Sequence, residues 1–200
     1  MTLIYPPHPH LLLTPPRLED FTWVNQGGAV AHNARRGLTI KAPTSAGDNL
    51  RMLVVSTPEP PYTATICVLP FVIGRNYAAC GIVLRESASN KLVTFNLTGR
   101  STASLQTEDS IIEVAYWNSP TSWSGSTAHT SHPMTTEYWL QIADTGVNRI
   151  MRVSPDGETW IDYHSESRTQ HITPDQIGFY LNVNRTAFGN AATFIHWSLE

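Results

Sequence analysis

Arg149-Ile150-Met151-Arg152-Val153-Ser154-Pro155-Asp156-Gly157-Glu158-Thr159-Trp160-Ile161-Asp162-Tyr163-His164 alternates apolar and polar residues on both sides of an Asp-Gly pair. A two-residue period sends successive side chains to opposite faces of a strand. Glycine accepts the positive φ that a tight hairpin turn demands. The stretch therefore predicts two antiparallel strands joined at Asp156-Gly157. The same alternation recurs from Phe21 to Trp197, which makes the chain all-β.

The strands predicted on this basis are Gly37–Lys41, Arg51–Val55, Tyr62–Leu69, Ala78–Arg85, Lys91–Leu97, Ile111–Trp117, Tyr138–Ala143, Arg149–Ser154, Trp160–Ser165, Gln176–Asn182 and Ala192–Trp197, in a total of about twelve. Tyr62, Ala64, Ile66 and Val68 share one face of their strand, as do Tyr138, Leu140 and Ile142. The Ser-, Thr- and Pro-rich stretch 118–136 reads as a long surface loop. Short strands with one wet face are best accommodated by two packed antiparallel sheets, with the aromatic residues counted first as core.

Composition sets limits on function. Of 200 residues, 41% are hydrophobic and 14% charged, against ~25% charged in an average domain. A net charge of −3 provides no broad basic field, so no nucleic-acid partner is expected. No apolar run approaches the ~20 residues needed to span a bilayer. The start, Met1 to Pro16, lacks a basic segment and a small-residue cleavage site, so it does not read as a signal peptide. Five prolines make residues 1–19 an extended arm, leaving 20–200 as one sandwich domain. The apolar side chains Leu3, Ile4, Tyr5, Leu11, Leu12 and Leu13 suit that arm to subunit attachment. Cys67 and Cys80 fall on successive strands. A bridge between them is one reading; buried reduced thiols are the other and the preferred one, because cytosolic proteins rarely keep disulfides.

Several segments carry a family likeness: Phe21-Thr22-Trp23-Val24-Asn25-Gln26-Gly27-Gly28, Ala46-Gly47-Asp48-Asn49-Leu50-Arg51, Cys80-Gly81-Ile82-Val83-Leu84-Arg85-Glu86-Ser87 and Gln176-Ile177-Gly178-Phe179. Their order resembles the concanavalin A-like lectin/glucanase superfamily, particularly the small laminin-G-like sandwiches of bacterial and tailed-phage proteins. The resemblance implies a two-sheet antiparallel jelly-roll sandwich over about residues 20–199. With the N-terminal arm, it also implies a virion structural protein: a capsid decoration or cement protein, or a tail accessory. Such a protein would assemble in the host cytoplasm and contact virion proteins or copies of itself as a homo-oligomer, trimers included.

The candidate chemistry is sparse. Hydrolases of this superfamily carry Glu-x-Asp-x-Glu on one strand, whereas Glu108 and Glu113 are five apart and face opposite sides. Glu86, Glu158 and Glu166 sit near turns and form no pair. No enzyme is expected, and no cofactor. Ser154-Pro155-Asp156-Gly157-Glu158-Thr159-Trp160 is similar to the sialidase Asp-box short of one residue, with Asp156 stabilising the turn and Trp160 packing. His129 and His132 lie three apart without a third ligand, and His8 and His10 are weaker still; no metal site is expected. Asp48-Asn49 and Asp144 with Asn148 lack the density of a calcium site. Carbohydrate recognition needs exposed aromatic residues beside hydrogen-bonding groups, and Tyr116, Trp117, Asn118 and Trp123 are the best candidates. Of the adjacent Tyr116 and Trp117, one should face outward. The expectation is thus a non-enzymatic virion protein, with a glycan-binding module as the alternative and a glycoside hydrolase third.

Overall fold

The computed structural model describes residues 13–71, 77–100, 109–131, 137–185 and 189–200. Among these residues fourteen strands, numbered along the chain, form two seven-stranded antiparallel sheets. Sheet A runs in the order β1 (Thr22–Val24), β4 (Leu50–Ser56), β13 (Gln176–Asn182), β6 (Ala79–Arg85), β7 (Leu92–Arg100), β8 (Asp109–Ser119), β9 (Ser122–Ser131). Sheet B runs β12 (Ile161–Ser167), β11 (Asn148–Ser154), β10 (Tyr138–Asp144), β5 (Tyr62–Pro70), β14 (Asn190–Leu199), β3 (Gly37–Ala42), β2 (Val30–Ala34). The one helical piece among the described residues is a 3-10 turn, Leu18–Asp20.

Alternation decides which side chains meet between the sheets. Tyr62, Ala64, Ile66 and Val68 of β5 face Ile82 and Leu84 of β6, with Phe95, Phe179 and Phe194 at the centre. Phe179 and Phe194 stack with ring centroids 4.2 Å apart, and Phe21 closes on Phe179 at 4.8 Å. At about 25 cal/mol per Å² of apolar surface, burial of these rings is a leading contribution to stability. Cys80 belongs to this core, whereas Cys67 lies on the far face of sheet B with Trp139 and Ile195. The two thiols are free and buried, and burial pushes each up to about 12.

The hairpin at Asp156-Gly157 forms as predicted. Gly157 has φ 79°. Asp156 Oδ1 accepts from the backbone N–H of Thr159 (2.7 Å) and Glu158 (2.9 Å) and from Ser154 Oγ (2.9 Å). Trp160 packs on the Cys67–Trp139 cluster.

Most of the stretch expected as a surface loop is strand, and residues 132–136 of it lie outside the described residues. Residues 122–131 pair with β8 along most of their length, with register shifts at three points. This is an edge strand with almost every side chain in solvent, so it needs no apolar alternation, and its Ser and Thr residues tolerate the pleated backbone. Within the stretch expected as an arm, Thr14 and Leu18 are bonded to the sandwich. Thr14 N donates to His196 Nδ1 (3.0 Å), and Trp197 N donates to Thr14 O (2.9 Å). Leu18 N is held by Asn33 Oδ1 at 2.9 Å. Leu13 is 46% exposed; Leu3, Ile4, Tyr5, Leu11 and Leu12 lie outside the described residues.

Candidate functional site

The outward face of sheet A carries the site. On β13, Ile177, Phe179 and Leu181 enter the inter-sheet core, so Gly178, Tyr180 and Asn182 point the other way. Register then sets Tyr180 opposite Gly81, Gly81 opposite Asn96, Asn96 opposite Glu113 and Glu113 opposite His129. One transverse row thus crosses five neighbouring strands. Beside it Leu50, Met52, Val54, Val83, Leu92, Ala115 and Trp117 form a separate apolar cluster. Tyr180, Asn96, Glu113 and His129 of the row, with Trp117 of the cluster, line a cleft of about 710 Å³.

Loops raise the walls. Asn182 is buried, and its Nδ2 donates to Asp48 Oδ1 (2.9 Å) and Tyr77 O (3.2 Å). Asn184 Nδ2 donates to the same Asp48 oxygen at 2.8 Å. Arg185 donates through Nε to Ala46 O at 2.9 Å. On the opposite wall Glu113 accepts from Ser126 Oγ. Tyr77 and Trp123 are exposed aromatic side chains at the rim.

The floor contains two polar groups without partners. Asn96 is buried and its Oδ1 accepts no hydrogen bond; Tyr180 is fully buried and its hydroxyl makes none. Thr94, whose Oγ1 accepts from Trp117 Nε1 at 3.0 Å, stands beside that hydroxyl. Burial raises the Tyr180 phenol well above its ordinary value, so it presents an O–H. Each unsatisfied buried group costs about 1–3 kcal/mol.

Trp117 and Trp123, two of the four residues singled out in the sequence, meet in this cleft as direct cross-strand partners. Asn118 is exposed at the end of β8 and does not line it. Tyr116 turns to the other face, as adjacent strand residues must. Its ring stacks on His171 at 4.7 Å, and its hydroxyl donates to Glu166 Oε2 at 2.6 Å. Burial, followed by that bond, pushes Tyr116 up to about 12. The outward partner is therefore Trp117, and it is sealed beneath its neighbours at 5% exposure.

Glu166 is no surface carboxylate. It pairs with the fully buried Arg149 at 2.8 Å, and His164 Nε2 stands 3.4 Å from its other oxygen. Asp144 accepts from Arg168 Nε (3.0 Å) and Gly146 N (2.9 Å). Among the described residues no three His, Cys, Asp or Glu side chains gather as metal ligands. Glu108 and His132 lie outside those residues. Sequence reasoning missed Asn96, Tyr180, Glu113 and Asp48 as one site. The available signal was Thr94, Asn96 and Thr98 alternating with Val93, Phe95 and Leu97 on a strand buried on both faces, where asparagine is disfavoured.

No protein-family model matches the chain, and no curated protein is significantly similar to it. Solved structures of the same shape exist. A functionally unknown protein from Saccharomyces cerevisiae superposes with a TM-score of 0.66 at 17% identity, covering 92% of this chain and 98% of that one. A GH43 protein of Bacillus licheniformis gives 0.62 at 16% identity, over 84% of this chain and 34% of the other. The carbohydrate-binding module CBM66 from Bacillus subtilis gives 0.55 at 15%, over 89% and 94%. At such identities the likeness is one of fold alone: the chain shares with these structures a sandwich of two antiparallel sheets.

Proposed function

We propose that the protein binds carbohydrate in the cleft on the outer face of sheet A and does not cleave it. One observation carries the reading: an exposed indole, Trp123, overlooks a floor where Asn96 and Tyr180 keep buried polar atoms unsatisfied. A sugar ring offers an apolar face to stack on an aromatic side chain and a rim of hydroxyls to complete such groups. The shared fold with a carbohydrate-binding module supports the reading by analogy.

Cleavage would need two carboxylates about 5–9.5 Å apart. Asp48 is tied to β13 and Glu113 stands on β8, three strands away, so the strands that anchor them are about 14 Å apart at ~4.8 Å per strand. A glycan array followed by calorimetry tests the proposal. Binding that disappears in Trp123→Ala supports it, and silence of the folded protein across neutral, acidic and amino glycans overturns it.

The narrower role of virion decoration or tail protein rests on the arm. Leu13, an exposed apolar side chain where the described arm begins, is the observation in its favour. Assembly that is unchanged after deletion of residues 1–13 would remove that role without touching the cleft.

A further inference from the structure

The charges around the cleft narrow the kind of sugar, and this step rests on the glycan reading above. Asp48 commits one carboxylate oxygen to the amides of Asn182 and Asn184, and Glu113 commits one to Ser126. The second oxygen of each carboxylate makes no hydrogen bond among the described residues. Asn96 Oδ1, between them on the floor, is a third acceptor without a donor. With the Tyr180 O–H as the one open donor, the other three open positions are acceptors, and two of those three carry negative charge.

A neutral hydroxyl brings one donor and leaves a carboxylate uncompensated. An ammonium brings three donors and a positive charge, and hydrogen bonds between charged partners are about twice as strong as neutral ones. The separation of the carboxylates matters as much. With the strands that anchor them about 14 Å apart, no single cation touches both, whereas a chain with one amino group per sugar meets each in turn. Arg185 stands at Asp48's end of the cleft and His129 lies opposite Glu113 across β8 and β9. Arg185 offsets charge at its own end, so Glu113 is the stronger discriminator.

We propose that the cleft selects polymers of free amino sugars, with Glu113 and Asp48 each holding an ammonium group and Asn96 completing one of them. Calorimetry on the full chain compares a glucosamine oligomer, the N-acetylglucosamine oligomer of equal length and a neutral glucose oligomer of equal length. The amino form is expected to bind about tenfold tighter than either, as one charge-assisted hydrogen bond allows. In Glu113→Gln the ratio of amino-form to N-acetyl-form affinity should fall towards one. A thermal melt confirms that the variant is folded. In the wild type, raising salt should weaken the amino form alone. Equal binding of all three oligomers, lost in Trp123→Ala but unmoved by Glu113→Gln, overturns this selectivity and leaves the glycan reading standing. Binding of none overturns both.

Discussion

Trp117 and Trp123 stand opposite one another on β8 and β9, yet the first is 5% exposed and the second 52%. Their substitutions should separate accordingly. Trp117→Ala empties part of the outer apolar cluster and removes the donor to Thr94, so it should cost about 3–5 kcal/mol in urea unfolding. Trp123→Ala removes a side chain already in water and should stay within about 0.5 kcal/mol of the parent. Calorimetry should show the opposite order of importance for Trp123, with glycan affinity lost in a fully folded variant.

Arg149 and Glu166 make the second contrast. Both side chains are out of water, and the pair is 2.8 Å apart. Desolvation holds Arg149 below its ordinary value, countered mainly by Glu166. Removing either partner strands a buried charge, so Glu166→Gln and Arg149→Met should each cost about 3–5 kcal/mol. The double variant should lose clearly less than their sum. Additive losses in a denaturant double-mutant cycle would show that the two groups do not act as a pair.

Asp156 gives the chain an acid-sensitive turn. The backbone N–H of Thr159, followed by Glu158 and Ser154, holds its carboxyl at about 2, below the ordinary 3.8. A depressed folded-state value means the stabilisation is present above about pH 4 and disappears as pH falls through about 2. Asp156→Asn keeps an oxygen to accept those hydrogen bonds and deletes the charge. The gap in Tm between parent and variant should therefore be widest above about pH 4 and close towards pH 2. A gap independent of pH would assign the turn's stability to geometry alone.

Legibility in the sequence followed the range of the physics involved. Alternation is local, so β5, β10 and the β11–β12 hairpin could be placed from their residues. Strand β9 could not, because an edge strand owes its place to backbone pairing with β8 rather than to an apolar face. Glu166 looked like a turn-side charge, since nothing nearby in sequence announces that Arg149 is buried against it. The site suffered most. Tyr180, Gly81, Asn96 and Glu113 become neighbours only through the strand order β13, β6, β7, β8, which no local pattern encodes. Trp117 and Trp123 were singled out as aromatic residues beside polar ones in one short stretch, although the strand pairing that sets them opposite each other was not foreseen.

Gly81 tests whether that row is the site. It lies between Tyr180 and Asn96, and a Cβ there would come 2.2 Å from Phe95 O and 2.8 Å from Asn96 Cβ. Backbone cannot yield as a flexible side chain can, so Gly81→Ala must push β6 and β7 apart. Overpacking of this kind costs about 1–3 kcal/mol, and the displaced Asn96 should weaken glycan binding as well. Gly125, on the edge strand β9, has nothing within 4 Å of its added Cβ. Gly125→Ala should hold or gain stability by about 0.4–1 kcal/mol, through a less flexible unfolded chain. Measured by urea unfolding and calorimetry, the pair separates a glycine required by close approach from one that is dispensable. Equal tolerance at both positions would mean that β6 and β7 are not held as tightly as the row requires.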